Sequence, residues 1–301
     1  MARADSGLDG ILLIDKPAGW TSHDVVAKAR RITGQRRIGH TGTLDPMATG
    51  LLVLCLGKAT RLVEYMTRHD KKYEGKIILG VATDTDDADG TVISTAPVPD
   101  VDEAKLAELI GTFTGTLNQM PPAYSALKVD GQRAYAVARR GGTPDLPKRE
   151  VRVDRLELTA IGEGRLAISV SCGPGTYIRS LARDIGGALG CGAHLGALRR
   201  TQAGGFSVVG ATTLDHLTAI VEAGEMEEEL LQPDDGILTF DAALVTGEHA
   251  EKLSHGLSVQ MLGCERAAEV ARIYDAGGAF IGVGRVGDDG QIRPIKVFAG
   301  A

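Results

Sequence analysis

The chain has 301 residues, 43% of them hydrophobic and 24% charged, which is the composition of a globular protein longer than one typical domain. No apolar run approaches the roughly 18 residues that a membrane-spanning helix needs, and the N-terminal segment MARADSGLDG lacks the apolar core of a signal peptide. We therefore expect a cytoplasmic protein, made of one large and one small domain, without a membrane partner.

The four cysteines predict no metal site. Cys55, Cys172, Cys191 and Cys264 lie far apart, and none belongs to a CxxC pair or has a histidine at zinc-finger spacing. We interpret them as reduced, mostly buried thiols. Neither an HExxH nor an EF-hand pattern occurs in the chain.

The formal net charge of −6 argues against a nucleic-acid partner only until its distribution is considered. Residues 221–240 hold five Glu and two Asp and no basic residue, so the remainder of the chain is close to neutral. The segment from Lys16 to His40 holds six basic residues and one acidic residue. This segment predicts a basic face that suits a phosphate backbone.

The N-terminal region predicts a strand, a helix, a loop and a second strand. The run GILLIDKP at 10–17 is apolar and is closed by a proline. Thr21 or Ser22 can cap the helix that follows, and Gly34 can end it. The next segment, RRIGHTGTLDPMATG, is rich in Gly and Thr and predicts a loop before the apolar strand LLVLCL.

The middle of the chain alternates strands and helices irregularly, which predicts an α+β domain with a largely antiparallel sheet. The acidic segment TDTDDADG at 83–90 predicts a turn. Helices are expected at 59–67, 102–111, 134–140 and along GTYIRSLARDIGGALG, and strands at 72–80, 151–159 and 165–171.

After the acidic stretch around 222–236, the C-terminal segment predicts a small β-rich domain. A short helix is expected at 247–255, followed by alternating strands at 268–275, 279–286 and 291–298 with Gly-rich hairpin turns. The segment GVGRVG at 282–287 fits the dinucleotide motif GxGxxG. Too few residues follow it for the helix and strand that such a site requires, so we interpret it as a hairpin strand.

One loop combines a carboxylate, a histidine and several glycines beside the basic helix. Taken alone, GHTGTLDPMATG at 39–50 favours a turn in which Asp45 caps the following element. The segment also resembles the catalytic signature of the TruB pseudouridine synthases, GxLDPxATG preceded by GH. Further segments match the family in order along the chain: DKPAGWTSHD, DKKYEGKIILG, TDTDDADG, MPPAYSALKVDG, GTYIRSLARDIG and AHLGALRR.

The resemblance implies a fold and two domains. It implies a pseudouridine synthase fold with a mixed, largely antiparallel sheet in residues 1–245, and a small β-rich, PUA-like RNA-binding domain in residues 246–301. It also implies a reaction without an external cofactor: the bond from C1′ to N1 breaks, the uracil turns, and C5 joins C1′.

The resemblance assigns the reaction chemistry to three side chains. Asp45 would be the nucleophile, attacking either uracil C6 or ribose C1′, or would abstract a ribose proton on a glycal route; the sequence leaves these routes open. Arg179 would pair with Asp45 and keep it ionised. Tyr73 would stack on the uracil and assist the removal of the C5 proton.

The resemblance also assigns binding and supporting roles. His40 would replace the flipped base in the RNA stack, while Tyr177 and Leu198 would wall the uracil pocket. Lys16 and Pro17 would brace the catalytic loop, and Lys128 would be structural or reach a phosphate. From the basic face and from AHLGALRR we expect phosphate contacts by Lys28, Arg30, Arg31, Arg36, Arg37, Arg199 and Arg200.

Together these features predict an enzyme that converts uridine 55 in the T loop of tRNA into pseudouridine. The chain is compact and lacks basic tails, so we expect a monomer that acts on the T arm without a guide RNA. The alternative is a tRNA-binding or folding factor whose catalysis is incidental or lost, against which the intact Asp45, Tyr73 and Arg179 argue.

Overall fold

A computed structural model describes residues 6–125, 127–129, 132–134, 137, 140, 142, 144–264 and 269–298. The helix expected at 134–140 lies mostly outside these residues, and the side chain of Lys128 is likewise not described. Within the described part of the chain, no helix is both long enough and apolar enough to cross a membrane.

Nineteen strands are described. In chain order they are β1 (Gly10–Lys16), β2 (Ile38–His40), β3 (Thr49–Leu56), β4 (Lys71–Leu79), β5 (Val81–Thr83), β6 (Val92–Thr95), β7 (Gly115–Gln119), β8 (Lys128–Val129), β9 (Gln132–Arg133), β10 (Arg149–Ala160), β11 (Arg165–Cys172), β12 (Ala193–Ala203), β13 (Phe206–Ser207), β14 (Asp241–Leu244), β15 (Val259–Gln260), β16 (Gly263–Cys264), β17 (Val270–Tyr274), β18 (Phe280–Val286) and β19 (Gln291–Val297).

The helices described alongside these strands are fewer. The α-helices are α1 (Ser22–Thr33), α2 (Val63–Met66), α3 (Glu103–Thr112), α4 (Ile178–Ala188), α5 (Leu214–Ala223), α6 (Met226–Glu229) and α7 (Gly247–Ser254). Short 3₁₀ helices occupy Gly57–Leu62, Val208–Gly210 and Pro233–Ile237. The single helix expected at 59–67 is therefore a 3₁₀ helix followed by one α-helical turn.

The larger sheet has nine strands. Its order is β1-β3-β12-β4-β11-β10-β7, with β2 beside β3 and β13 beside β12. Strands β3 and β12 run parallel, and the other pairs in this sheet are antiparallel. The expectation of an α+β fold with a mixed, largely antiparallel sheet is confirmed.

Strand β3 is buried on both faces, which explains why its sequence is a continuous apolar run. Leu52 and Leu54 belong to a core that also contains side chains of α1 and α4. Leu51 and Val53 point to the opposite face, into a second core that includes Val283 of β18. The alternation of side chains along a strand therefore gives β3 a core on each side.

Helix α1 forms as the sequence predicts. Thr21 is its N-cap: the Thr21 side chain accepts a hydrogen bond from the Asp24 backbone, and the Asp24 carboxylate accepts one from the Thr21 backbone. Gly34 ends the helix in the left-handed conformation, with φ of 71°. Val25, Val26 and Ala29 bury the inner face, so the basic residues of this helix remain on its outer side.

The C-terminal residues form a separate six-stranded sheet in the order β15-β19-β18-β17-β14-β16. Strand β14 belongs to this sheet and pairs with β17, so the sheet begins at Asp241, ahead of the domain boundary expected after residue 245. The C-terminal end returns to the large domain, where Lys58 and Arg61 donate hydrogen bonds to the carbonyls of Phe298 and Val297. The GVGRVG segment lies largely in β18, as a hairpin strand.

Candidate active site

The loop that carries Asp45 connects β2 to β3 and is braced by the segment after β1. Lys16 Nζ donates hydrogen bonds to the carbonyls of Pro17 (2.9 Å), Trp20 (2.6 Å) and Pro46 (3.2 Å). The Gly19 backbone N–H also donates to the Pro46 carbonyl, at 2.8 Å. Lys16 is fully buried, and burial lowers its pKa to about 8, opposed by the charge of Asp45.

A second brace comes from the first residue of α1. The Leu44 backbone N–H donates to Ser22 Oγ at 2.8 Å, and Ser22 Oγ lies 3.2 Å from the Leu44 carbonyl to which it donates. Ser22 is fully buried. Leu44, the residue immediately before Asp45, is therefore tied to the N-terminal end of α1. The sequence predicted Ser22 only as a possible cap of that helix.

Asp45 lines a cavity of about 300 Å³. The other lining residues come from distant parts of the sequence. This volume lies at the lower end of the range of about 300–1,000 Å³ typical of small-molecule pockets. The lining combines the Asp45 loop with side chains of β4, β12 and the start of α4, including Tyr73, Tyr177, Arg179, Leu198 and Arg200.

Arg179 and Asp45 form an ion pair in this cavity. Arg179 Nε lies 2.9 Å from Asp45 Oδ2, and Arg179 Nη2 donates to Asp45 Oδ1 at 3.1 Å. The Arg179 side chain is 5% exposed, whereas that of Asp45 is 33% exposed. The guanidinium therefore faces the carboxylate from the protein side and leaves part of the carboxylate open to the cavity.

Two opposing influences act on the Asp45 carboxyl group. Burial raises its pKa, and the positive charge of Arg179 acts in the opposite direction. The nearby carboxylate of Asp87 raises the pKa further. Arg179 is thus the main group that favours the ionised form of Asp45, which a nucleophile or a base requires.

Asp87 is a residue that the sequence analysis missed. Its carboxylate, 6% exposed, lies 3.3 Å from Arg179 Nη1, and it accepts hydrogen bonds from Thr85 Oγ1 (2.6 Å) and the Asp89 backbone (3.1 Å). Asp87 thus fixes the far side of Arg179. The acidic segment TDTDDADG predicted a turn and matched the family, but no role was assigned to Asp87, because nothing in the residue spacing connects this segment to α4.

The neighbouring residue, Asp86, has the only positive φ among the described non-glycine residues, at 61°. Its carboxylate pairs with Arg183 Nη1 at 2.8 Å. Arg183 lies one helical turn after Arg179 on α4. The two arginines therefore hold two consecutive aspartates, and this fixes the turn that presents Asp87.

Tyr73 and Leu198 form one wall of the cavity and are both 8% exposed. They lie on β4 and β12, which are neighbours in the sheet. Burial raises the pKa of the Tyr73 hydroxyl. A flat ring and an aliphatic side chain at a cavity wall suit a planar ligand.

Tyr177 precedes α4 and also lines the cavity. Gln119 fixes its backbone: Tyr177 N–H donates to Gln119 Oε1 at 2.9 Å, and Gln119 Nε2 donates to the Tyr177 carbonyl at 3.0 Å. Gln119 is buried and was not singled out in the sequence. It connects the end of β7 to the start of the helix that carries Arg179.

His40 ends strand β2 and is not among the described residues that line the cavity. It is half-buried and packs edge-on against His23 at 5.7 Å between ring centroids. Burial lowers its pKa, and the charge of His23 adds to this effect. Thr41, the next residue, lines the cavity, so His40 lies at its margin.

The basic residues in α1 and in the segment after it lie at the surface. Arg30, Arg31, Arg36 and Arg37 are exposed and Lys28 is half-buried. Arg30 Nη2 donates to the Ile38 carbonyl at 2.8 Å, which ties the end of α1 to β2. Arg30 therefore lies beside strand β2, which ends at His40.

The two arginines of β12 point to opposite faces of the sheet, as neighbours on a strand do. Arg199 is half-exposed and pairs with Asp15 at 2.7 Å. Arg200 is 1% exposed, and its Nε and Nη2 donate to the carbonyls of Leu51 and Gly42. The structure therefore places Arg200, a candidate phosphate contact, at the cavity with a buried guanidinium, apart from the exposed basic residues of α1.

Similarity to known proteins follows this architecture along the whole chain. The model of the N-terminal domain of TruB family pseudouridylate synthases matches residues 30–178. Two further models match the rest: tRNA pseudouridylate synthase B C-terminal domain at 179–245 and pseudouridine synthase II TruB, C-terminal, at 244–298. The chain belongs to the TruB family of pseudouridylate synthases. It is therefore an enzyme of the pseudouridine synthase class, an RNA-modifying isomerase.

Individual TruB relatives match most or nearly all of the chain. A tRNA pseudouridine synthase B of Xanthomonas campestris pv. campestris (strain B100) is 44% identical over 300 residues, 97% of this chain and 95% of the relative. One of Opitutus terrae is 50% identical over 224 residues, 74% of this chain and 92% of the relative. The name of both relatives is that of a tRNA-modifying enzyme.

Solved structures show the same fold. The structure of an H/ACA RNP bound to a substrate RNA containing 2′-deoxyuridine includes a chain with a TM-score of 0.73 and 25% identity, matching 98% of this chain and 86% of that one. An archaeal box H/ACA sRNP Nop10–Cbf5 complex gives a TM-score of 0.74 at 24% identity, with 98% and 87% covered. The pseudouridine synthase fold is thereby confirmed.

Proposed function

We propose that this enzyme isomerises uridine 55 in the T loop of tRNA to pseudouridine, with Asp45 as the nucleophile. The names of the relatives, tRNA pseudouridine synthase B, support tRNA as the substrate. The position within the T loop follows from the resemblance to the stand-alone bacterial members of the family. The reaction rearranges one nucleotide and consumes no second substrate.

The observation that carries the proposal is the Asp45–Arg179 pair within the cavity. A carboxylate that is held on one side by a buried guanidinium and open on the other side can reach a ligand in the cavity. Arg179 is itself fixed by the Thr85 and Tyr124 carbonyls, each at 3.0 Å. Preorganisation of this kind lets the carboxylate react without first rearranging its partners.

Three routes use the Asp45 carboxylate. It attacks ribose C1′ and displaces the uracil, or attacks uracil C6, or removes a ribose proton so that the uracil leaves with formation of a glycal. Each route needs an ionised carboxylate beside the nucleoside. The pairing with Arg179 serves all three routes equally.

The remaining cavity residues suit a flipped uracil. Tyr73 and Tyr177 offer aromatic surfaces and Leu198 an aliphatic one, so a planar base can be held while it turns. Extrusion of the base costs a few kcal/mol of stacking. His40, at the margin of the cavity, would compensate by stacking in the vacated position.

The exposed basic residues in and after α1 would hold the phosphate backbone around the flipped nucleotide. Both Arg31 and Arg37 are exposed. We propose that the enzyme acts as a monomer and reads the shape of the T arm directly, without a guide RNA.

The test uses the purified protein and a T-arm stem-loop RNA, with no other RNA present. Pseudouridine is mapped by chemical labelling and primer extension at every uridine of the stem-loop. We expect modification at position 55 alone. Tight binding without modification would contradict the proposal and favour a tRNA-folding factor.

A further inference from the structure

Arg200 is a buried cation without a carboxylate partner among the described residues. By contrast, Arg179 of the same cavity and Arg199, its neighbour on β12, each form an ion pair with an aspartate. A buried charge is costly unless its surroundings compensate it. The groups that surround Arg200 should therefore explain why its charge is buried there.

The sheet places Arg200 beside Tyr73. The two residues are direct partners in the antiparallel pairing of β12 with β4, so their side chains leave the sheet on the same face. Both line the cavity that contains Asp45. The side chains of Arg200 and Tyr73 are therefore neighbours in the lining of the candidate active site.

Two of the three nitrogens of the guanidinium are fixed. Arg200 Nε donates to the Leu51 carbonyl at 2.7 Å, and Nη2 donates to the Gly42 carbonyl at 3.0 Å. Nη1 is buried and makes no well-aligned hydrogen bond with the described residues. Because the first two bonds hold the plane of the group, Nη1 is preorganised for a partner in the cavity.

We propose that Arg200 is a positioning residue that orients the Tyr73 hydroxyl and favours its phenolate, so that Tyr73 removes the C5 proton. This role rests on the proposed function. It deepens the roles expected from the sequence, where Arg200 was a candidate phosphate contact. The catalytic group in this step is Tyr73, and Arg200 acts through it.

The proposed step transfers one proton from uracil C5 to Tyr73. After C5 has joined C1′, the C5–H bond breaks and its proton passes to the phenolate oxygen of Tyr73. The electron pair forms the C5–C6 double bond, and the C6–N1 π pair moves to N1, which takes a proton from water. Tyr73 then returns its proton to water, so no oxidant, reductant or co-substrate is needed.

Burial, neighbouring charges and Arg200 act on Tyr73 in different directions, and together they leave its pKa raised. Burial raises the pKa of the hydroxyl, and the neighbouring charge of Asp45 raises it further. Arg200 opposes both, chiefly through its positive charge. An unperturbed phenol, with a pKa of about 10, is a weak base near neutral pH, so a cation held beside Tyr73 increases its competence.

The test is a double-mutant cycle of Arg200→Met and Tyr73→Phe, measured as single-turnover rates of pseudouridine formation at saturating T-arm RNA. We expect Arg200→Met to slow the reaction by at least about tenfold, as expected for impairment of a general base. In the Tyr73→Phe background it should slow the reaction by less than about twofold, because the hydroxyl on which it acts is absent.

A substrate deuterated at uracil C5 gives a second readout. If proton removal becomes slow, Arg200→Met should show a primary kinetic isotope effect that is absent or smaller in the wild type. Arg200→Lys keeps a cation in the cavity, so it should recover part of the rate in the presence of Tyr73 and none with Tyr73→Phe. A structural defect at the Gly42 and Leu51 carbonyls would not produce this pattern.

Arg272→Met is the matched control, since Arg272 also bonds a carbonyl, that of Phe240, and a tyrosine hydroxyl, that of Tyr274, in the other sheet. It should show neither coupling to Tyr73 nor an isotope effect. Additive losses in the cycle, for the Met or the Lys variant, would overturn the role of Arg200, as would weakened RNA binding with an unchanged single-turnover rate. A wild type that forms no pseudouridine contradicts the proposed function instead.

Discussion

At the scale of single residues, Asp45 depends on a chain of charges in which Arg179 lies between two carboxylates. Asp45 lies on one side of the guanidinium and Asp87 on the other. Arg179 favours ionisation of Asp45, and Asp87 opposes it while fixing Arg179 in place. Asp87 therefore affects Asp45 in two ways, through its charge and through the position of Arg179.

Asp87→Asn separates these two effects. Removing the Asp87 charge lowers the pKa of Asp45, because that charge raises it in the wild type. The acidic limb of the pH profile of kcat/KM should therefore move to lower pH. The plateau should fall by on the order of tenfold, because Arg179 is held less firmly.

The pH profile of T-arm modification, measured from acidic to neutral pH, checks this prediction. Asp100→Asn serves as the control, since Asp100 is an exposed carboxylate on a loop. A limb that stays at the wild-type pH, or moves upward, would contradict the assigned coupling.

The sequence predicted the residues of this site unevenly, for a physical reason. Asp45, Tyr73 and Arg179 each lie in a motif that resembles the family, so each could be named without knowing the fold. Asp87 and the burial of Arg200 depend on which elements pack together. Neither strand register nor the contact between the acidic turn and α4 can be read from local residue patterns.

At the scale of elements, the parallel contact between β3 and β12 places the Asp45 loop against Arg200. Gly50 is the register partner of Arg200 and has φ of 96°. A side-chain Cβ at Gly50 would meet the Arg200 backbone carbonyl oxygen with a severe overlap. The last glycine of the GHTGTLDPMATG segment is thus required by strand packing.

Gly50→Ala should destabilise the protein by about 1–3 kcal/mol from backbone strain alone, with the overlap adding to it. Urea unfolding measures the change. Gly210→Ala is the control, because a Cβ there meets no atom within 4 Å and φ is not positive. Equal stability of the two variants would show that the β3–β12 contact tolerates the added atom.

Lys16 couples the same loop to pH. Its pKa falls from 10.5 to about 8 on folding, so the unfolded chain binds a proton that the folded chain lacks between these values. The free energy of unfolding therefore gains a contribution that rises with pH across the window of 8 to 10.5. Lys71, whose pKa is also lowered to about 8, contributes in the same direction.

Lys16→Met should therefore make the rise in unfolding free energy between these two pH values shallower without abolishing it. Urea unfolding at both ends of the window provides the measurement. Lys72→Met changes an exposed lysine next to Lys71 and should keep the wild-type slope. An unchanged slope for Lys16→Met would contradict the burial of a titrating Lys16.

Element positions were predicted well where apolar periodicity or capping residues are strong. Strands β1 and β3 and helix α1 lie within a few residues of their predicted bounds. Strand β2 was expected to be loop, because its three residues are too few for a pattern. The pairing of β14 with β17 was also beyond prediction, since it joins residues separated by the α7 helix.

At the scale of the whole molecule, the net charge of −6 conceals a group of exposed basic residues in and after helix α1. Replacing Lys28, Arg31 and Arg37 together by Gln should weaken RNA binding. The slope of log K against log salt concentration should become shallower by about one unit for each phosphate that the variant no longer binds. The rate at saturating RNA should remain close to that of the wild type.

Binding isotherms over a series of salt concentrations provide this measurement. Arg155→Gln is the control, because Arg155 is an exposed cation on β10, paired with Glu157. A triple variant with the wild-type salt slope would contradict the placement of the phosphate contacts.

The proposed reaction depends on the ionised carboxylate of Asp45. The most direct measurement compares the wild type with Asp45→Asn in single-turnover modification of a T-arm RNA at saturating enzyme, with RNA affinity measured in parallel. The predicted result is near-wild-type affinity with no detectable pseudouridine, because the amide keeps the shape of the side chain but lacks its charge. Pseudouridine formation by Asp45→Asn at a rate comparable to that of the wild type would contradict the assignment of Asp45 as the nucleophile.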